Sequence, residues 1–90
     1  MECTVTQDDL KILLLKCVGS RYPIKIILKD NVITDAYMRG FADSDCTVMI
    51  LSDDDHDAFI HEIKIQDVKS IETMKQISLD RVKGKNFKVN

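Results

Sequence analysis

The strongest constraint on the fold is a change of hydrophobic period at Pro23. In the stretch IKIILK, residues 24–29, every second residue is apolar, a period of two that is typical of a β-strand. Asp30-Asn31 then indicates a hairpin turn, and the stretch VITDAYMR, residues 32–39, alternates again. The chain after Pro23 is therefore predicted to form antiparallel sheet.

The segment before Pro23 has a helical period instead. Four apolar residues recur there at three- and four-residue steps: Leu10, Leu13, Leu14 and Cys17. This spacing places them on one face of a helix. Thr6 is typical of a helix N-cap, and the two aspartates after it suit the positive end of the helix dipole. With Gly19 as a left-handed stop, we expect a helix over residues 7–18.

Three more strands are expected, over residues 47–51, 58–65 and 68–72, after a bulge or bend at Gly40. No stretch between strands is long enough for a helical crossover, which excludes a parallel α/β sheet. The predicted fold is mainly β, with an N-terminal α-helix and a five-stranded, strongly bent antiparallel barrel of SH3-like form. The expected core consists of Leu10, Leu13, Leu14, Ile24, Ile26, Leu28, Met38, Phe41, Val48, Ile50, Ile63, Ile65, Val68 and Ile71.

Length and composition indicate one domain. The chain has 90 residues, of which 44% are hydrophobic and 31% charged, as in an ordinary globular domain. Within this domain we assign residues 7–18 to the helix and 24–72 to the barrel. Residues 73–90 are predicted to form a basic C-terminal arm that is partly helical or mobile.

Several functional classes are disfavoured. The chain has no apolar run of about 18 residues and no basic flank of a secretory signal, so we expect an intracellular, cytoplasmic protein without a membrane partner. Its three cysteines have neither CxxC nor Cys/His spacing, which disfavours disulfides and zinc. Catalytic and nucleotide-binding motifs are missing as well. We therefore expect no enzyme, no metal and no cofactor.

The stretch DDDHD, residues 53–57, resembles the start of an EF-hand calcium loop. However, position six is Ala58 instead of glycine, position twelve is Lys64 instead of glutamate, and no second helix follows. We interpret this stretch as a solvated hairpin tip, where aspartates favour a turn. His61, in the arm that follows, is interpreted as a strand surface residue rather than a catalytic base.

The charges are unevenly distributed although the net charge is only −2. From residue 42 to residue 57 the chain has six aspartates and no lysine or arginine, whereas residues 69–90 have six lysines and arginines and only two acidic residues. A chain of this kind is electrically two-ended if both segments are exposed. Tyr37 shares a predicted strand face with Asp35 and Arg39, which makes it a candidate for base stacking.

The span from residue 24 to residue 72 resembles the Sm and Sm-like family. The likeness rests on three stretches: IILKD at residues 26–30, AYMRGF at 36–41 and CTVMIL at 46–51, with IKIQDVKSIE at 63–72 similar to the closing strands. The resemblance implies an N-terminal helix, a small barrel and an association with RNA. Three departures concern function: the family's base-contacting asparagine is Thr47 here, its basic loop is Gln66-Asp67, and the second-strand glycine is Ala36.

The chain is also similar, more weakly, to the Rof family of small Sm-like inhibitors of the transcription terminator Rho. The order of helix, L-K-D strand, acidic loop and closing strands carries this similarity. It implies transcription regulation through a protein contact.

Two functions follow as expectations. The first is a non-catalytic Sm-like module that binds RNA or an RNA-handling protein, with the contact residues Lys25, Lys29, Tyr37, Arg39, Thr47, Arg81, Lys83 and Lys85. The alternative is an adaptor or inhibitor that docks an aspartate-rich surface on a basic partner, through Asp43, Asp45, Asp53, Asp54, Asp55 and Asp57. For assembly, a monomer or dimer is favoured over a ring.

Overall fold

The computed structural model describes residues 2–53, 60–80 and 82–90. It contains one α-helix, α1, and seven strands, β1 to β7, in the described part of the chain. In chain order the elements are β1 (Glu2–Val5), α1 (Gln7–Cys17), β2 (Ile24–Leu28), β3 (Val32–Phe41), β4 (Val48–Ser52), β5 (Ile60–Lys64), a single 3-10 turn (Ile65–Asp67), β6 (Val68–Leu79) and β7 (Val82–Val89).

The strands form one sheet in the order β1-β7-β6-β2-β3-β4-β5. All neighbours are antiparallel except β1 and β7, which run parallel. The predicted class, mainly β with an N-terminal helix, is confirmed. The predicted five-stranded barrel is not confirmed, because the sheet has seven strands and over the described residues it is not closed.

The two strands that the sequence analysis missed are at the chain ends. Residues 73–90 were predicted to be a partly helical or mobile arm, but they complete β6 and form β7. Met74 and Ile77 have the three-residue spacing of a helix. In the structure this spacing instead belongs to an irregularity of β6, where the pairing with β7 shifts between Glu72 and Ile77.

The helix begins as the sequence predicts. The Thr6 hydroxyl accepts a hydrogen bond from the Asp9 backbone amide (3.1 Å), and the Asp9 carboxylate accepts one from the Thr6 amide (3.4 Å). This reciprocal pair satisfies two amides that a helix start leaves without partners. The helix ends at Cys17, and Gly19 follows with φ of +77°, in agreement with its predicted role as a stop.

The core lies between the inner face of α1 and the sheet. Leu10, Leu13 and Leu14 of α1 are completely buried, as are Ile26 of β2 and Ile71 of β6. In the predicted core list the phase of β4 is wrong, because Met49 and Leu51 are buried while Val48 and Ile50 are half-buried. All four are apolar, so the hydrophobic pattern could not decide which pair faces inward.

The backbone conformation at Gly40 in β3 is one that favours glycine. Its φ is +146°, which side-chain-bearing residues rarely adopt, and the pairing of β3 with β4 shifts between Met38 and Gly40. The bend predicted at this glycine is therefore present as a bulge.

We expect Gly40→Ala to lower the free energy of unfolding by about 1–3 kcal/mol. A Cβ at this position would meet no atom within 4 Å, so the cost is conformational rather than steric. Urea denaturation measures it, with Thr34→Ala, an exposed change in the same strand, as a control expected to stay within about 0.5 kcal/mol. Equal stabilities for the two variants would contradict the strained φ.

Candidate functional site

Tyr37 and Arg39 form the best-defined pair among the predicted contact residues. Both lie on β3 and are half-buried, and the guanidinium carbon of Arg39 is 5.7 Å from the centre of the Tyr37 ring. This distance is within the range of a cation–π interaction. The two side chains therefore form a joint surface with an aromatic and a cationic component, which we call the Tyr37–Arg39 platform.

The platform is held in place by β4. Arg39 Nε donates a hydrogen bond of 2.9 Å to the Ser52 hydroxyl, and Ser52 is completely buried. Ser52 also pairs with Tyr37 across the β3–β4 ladder. Because a buried group restricts the guanidinium, less side-chain freedom remains to be lost when a ligand binds.

Apolar surface continues next to the platform. Ser52 pairs with Ile60 of β5 across the ladder, and the Ile60 side chain is 60% exposed. On the same strand face as Ser52 lies Ile50, which is half-buried and pairs with Glu62. Unpaired bases stack on aromatic rings and guanidinium planes, and the aliphatic side chains add apolar surface beside them on the same sheet face.

The other predicted basic contacts do not converge on the platform. Lys25 Nζ lies 3.6 Å from the Glu72 carboxylate, with both side chains partly exposed, and Lys29 is exposed at the turn after β2. Lys83 and Lys85 are exposed on β7, which β6 and β2 separate from β3. Arg81 lies outside the described residues.

Thr47 has a structural role. Its backbone amide and its hydroxyl both donate to the Asp43 carboxylate, and the Val48 amide donates to the same carboxylate at 3.1 Å. These bonds fix the turn that leads into β4. The Thr47 hydroxyl is thus engaged within the chain, which weakens the prediction that it contacts RNA, and the Asp43 carboxylate is engaged as well.

The bonds to Asp43 predict a pH effect. The Thr47 hydroxyl, together with the Thr47 and Val48 amides, lowers the pKa of the Asp43 carboxyl below its ordinary value of 3.8. The unfolded state therefore binds this proton more readily than the folded state, so the stabilisation is complete above the ordinary pKa and is lost as the pH falls through the folded-state pKa.

We expect Asp43→Asn to flatten the acid limb of the stability curve. Urea denaturation between about pH 2 and pH 6 should show a smaller decrease in the free energy of unfolding toward low pH than in the wild type. Asp45→Asn, an exposed change in the same turn, serves as the matched control. An unchanged acid limb in the Asp43 variant would contradict the assignment.

A cavity of about 300 Å³ lies beside Thr47. The helix start, the beginning of β4 and the corner after β5 surround it, and its lining includes Gln7, Lys11, Lys64 and Gln66. Lys11 Nζ donates to the Asp45 carbonyl at 3.1 Å, so this lysine also ties α1 to the turn. Sequence reasoning missed both lysines, although Gln66, at the corner it singled out, lines the same cavity.

The predicted acidic surface is divided in the described structure. Asp45 precedes β4 and Asp53 follows it, and a five-residue strand spans about 17 Å. The Asp53 carboxylate lies 2.6 Å from His61 Nε2, an ion pair when the imidazole is protonated. His61 is half-exposed on β5, in agreement with its interpretation as a strand surface residue. Asp54, Asp55 and Asp57 lie outside the described residues, as does most of the predicted hairpin tip.

Within residues 2–53, 60–80 and 82–90, no helix has the length and apolar character needed to cross a bilayer. Among the same residues, no three His, Cys, Asp or Glu side chains are grouped so that they could hold a metal ion. No protein-family model matches the chain, and no curated protein or solved structure is significantly similar to it.

Proposed function

We propose that this chain is a non-catalytic, Sm-like binding module that acts on single-stranded RNA or within RNA-handling complexes. The observation that carries the proposal is the Tyr37–Arg39 platform, in which Ser52 holds the guanidinium near an aromatic ring. A base can stack on such a surface while the cation attracts the phosphate beside it.

The sheet order supports the Sm-like part of the proposal. Within the seven strands, the sequence β6-β2-β3-β4-β5 places the last of five successive strands beside the first. This neighbourhood is the one that a small, strongly bent five-stranded barrel needs, and β1 and β7 are additions to it. The bulges in β2–β3 and β3–β4 pairing supply local bends.

The position of β7 supports a monomer or dimer over a ring. One edge of the five-strand unit is β6, and β7 pairs with it along both of its halves. A strand that is already paired cannot offer the same backbone groups to a neighbouring subunit. The seven-stranded sheet ends at β1 and at β5 instead, and pairing of β5 with β5 of a second copy would give a dimer.

The alternative function is docking on a basic partner through aspartates. Its support is the exposure of Asp45 and Asp53. Against it stands the engagement of the Asp43 carboxylate with three donors of its own turn. We therefore place the Tyr37–Arg39 platform first.

Charge reversal separates the two functions. We expect Arg39→Glu to weaken binding of a fluorescein-labelled ten-nucleotide RNA and to reduce the slope of log K against log salt by about one. Asp45→Lys should leave RNA binding intact or strengthen it. Lys69→Glu, which makes the same charge change at an exposed position of β6, is the control. Equal losses for Arg39 and Lys69 would indicate a diffuse charge effect and contradict a site at Arg39.

A further inference from the structure

A second aromatic–cation pair lies away from the platform. Lys75 Nζ is 4.4 Å from the centre of the Tyr22 ring, closer than Arg39 is to Tyr37. Tyr22 belongs to the loop between α1 and β2, and the residue is 41% exposed. Lys75 lies in the irregular part of β6, between the two segments that pair with β7.

This pair lines a small cavity of about 210 Å³. Pockets that enclose drug-sized ligands have about 300–1,000 Å³, so this smaller cavity can enclose one planar ring, with the groups attached to that ring at its rim. Its walls include the apolar side chains of Tyr22 and Met74 and the hydrogen-bonding groups of Ser20 and Gln76. Met74 is 59% exposed, so its apolar side chain is accessible to a ligand.

The charged groups around the cavity are unevenly distributed. Lys16 and Lys75 line it, and none of its described lining residues is a carboxylate. Lys16 Nζ also donates to the Ser78 carbonyl at 2.7 Å, which fixes that ammonium near the cavity. An adjoining, more open cavity of about 500 Å³ is lined by Asp35, Glu72 and Lys25, and Lys25 Nζ lies 3.6 Å from the Glu72 carboxylate. An anionic group is therefore more favoured beside Lys75 than at the open side, where Asp35 lies.

We propose that this cavity binds one nucleotide unit, with the base against Tyr22 and Met74 and the phosphate beside Lys75. Ser20 and Gln76 can donate to or accept from the base edge. The unit can be a free mononucleotide or one nucleotide of a single strand, since both present the same ring and phosphate. The inference goes beyond the Tyr37–Arg39 platform and does not depend on it.

An acidic peptide is the competing occupant, because a carboxylate would also suit Lys75. A nucleotide is favoured because the Lys75 ammonium lies next to the exposed aromatic ring of Tyr22. A planar base can stack on such a ring, whereas a carboxylate cannot. The small volume of the cavity also favours a nucleotide, because a planar ring fits it more readily than a stretch of peptide does.

The test is an amide NMR titration of the complete chain with uridine monophosphate. We expect shifts at Tyr22, Met74 and Gln76, weaker shifts with uridine, and none at Met74 with inorganic phosphate. Tyr22→Leu should weaken binding about fivefold or more, as loss of stacking does, and Tyr22→Phe should retain it. Lys75→Gln should reduce the affinity for the monophosphate to that for uridine, whereas Lys69→Gln should leave it unchanged.

Further titrations identify the ligand and distinguish this cavity from the Tyr37–Arg39 platform. A ten-nucleotide oligouridylate that shifts the same amides more tightly indicates a strand, and a response to the mononucleotide alone indicates a free nucleotide; both support the pocket. Shifts elsewhere, no shifts, or preferential binding of a phenylalanine–tetraglutamate peptide would overturn it. Loss of RNA binding in Tyr37→Leu with an unchanged mononucleotide titration would show that the two sites act independently.

Discussion

Replacing Phe87 with alanine is expected to destabilise the protein by about 3–5 kcal/mol, the cost of removing a large aromatic side chain from a packed core. Phe87 is completely buried. It pairs with Ile71 of β6 on one side and with Cys3 of β1 on the other, and both of these are buried core residues. Because a domain has only about 5–15 kcal/mol of stability in total, this single change should remove a large part of it.

Urea denaturation of Phe87→Ala and of Lys88→Ala provides the comparison. Lys88 is the next residue of β7 and is exposed, so its replacement should change the free energy of unfolding by less than about 0.5 kcal/mol. A small effect of Phe87→Ala, below about 1 kcal/mol, would mean that β7 contributes little to the core. Residues 73–90 would then behave as the separable arm that the sequence predicts.

Replacing Tyr37 with leucine is expected to weaken binding of single-stranded RNA about tenfold. Leucine keeps apolar surface at this half-buried position but removes the aromatic face, and stacking of one base on an aromatic side chain contributes about 1–3 kcal/mol. The loss of the ring also removes the cation–π partner of Arg39. Fluorescence anisotropy with a labelled ten-nucleotide RNA measures the change.

Tyr37→Phe is the matched control for this prediction. It retains the ring and removes only the hydroxyl, so we expect RNA affinity within about twofold of the wild type if stacking is the main interaction. A loss as large as that of Tyr37→Leu would assign the contact to the hydroxyl instead. Full affinity in Tyr37→Leu would place the RNA contact elsewhere on the molecule.

The helix and the central strands were predictable because their signals are local. The Thr6 cap, the spacing of Leu10, Leu13 and Leu14, and the alternation after Pro23 each depend on residues a few positions apart. The bulge at Gly40 was indicated by a single glycine in a strand pattern. Such features follow from backbone geometry, which tertiary contacts did not override here.

The end strands and the phase of β4 depend on contacts distant in sequence. The partner of β1 is β7, about 80 residues away, so the short alternation ECTV at residues 2–5 does not by itself indicate which strand it pairs with. In β7, the polar stretch Lys83, Gly84 and Lys85 weakens the hydrophobic pattern, although Phe87 is buried. In β4, consecutive apolar residues permit either face to point inward, and only the pairing with β3 decides.

The candidate site was predicted in part for the same reason. Tyr37 and Arg39 are two residues apart on one strand, so their shared face follows from the period of two. The roles of Ser52 and Asp43 were not predictable, since a side chain's partner across a ladder or within a turn depends on register and on backbone direction. Lys11 and Lys64 approach the same cavity from different elements, and no sequence spacing relates them.

We propose that this chain binds single-stranded RNA through charge and stacking. The most direct test is fluorescence anisotropy of the wild-type protein with a labelled ten-nucleotide RNA at about 50 mM and about 200 mM salt. We expect saturable binding at the lower salt concentration that weakens at the higher one, because phosphate contacts release counterions. A flat titration at the lower salt concentration would contradict the claim.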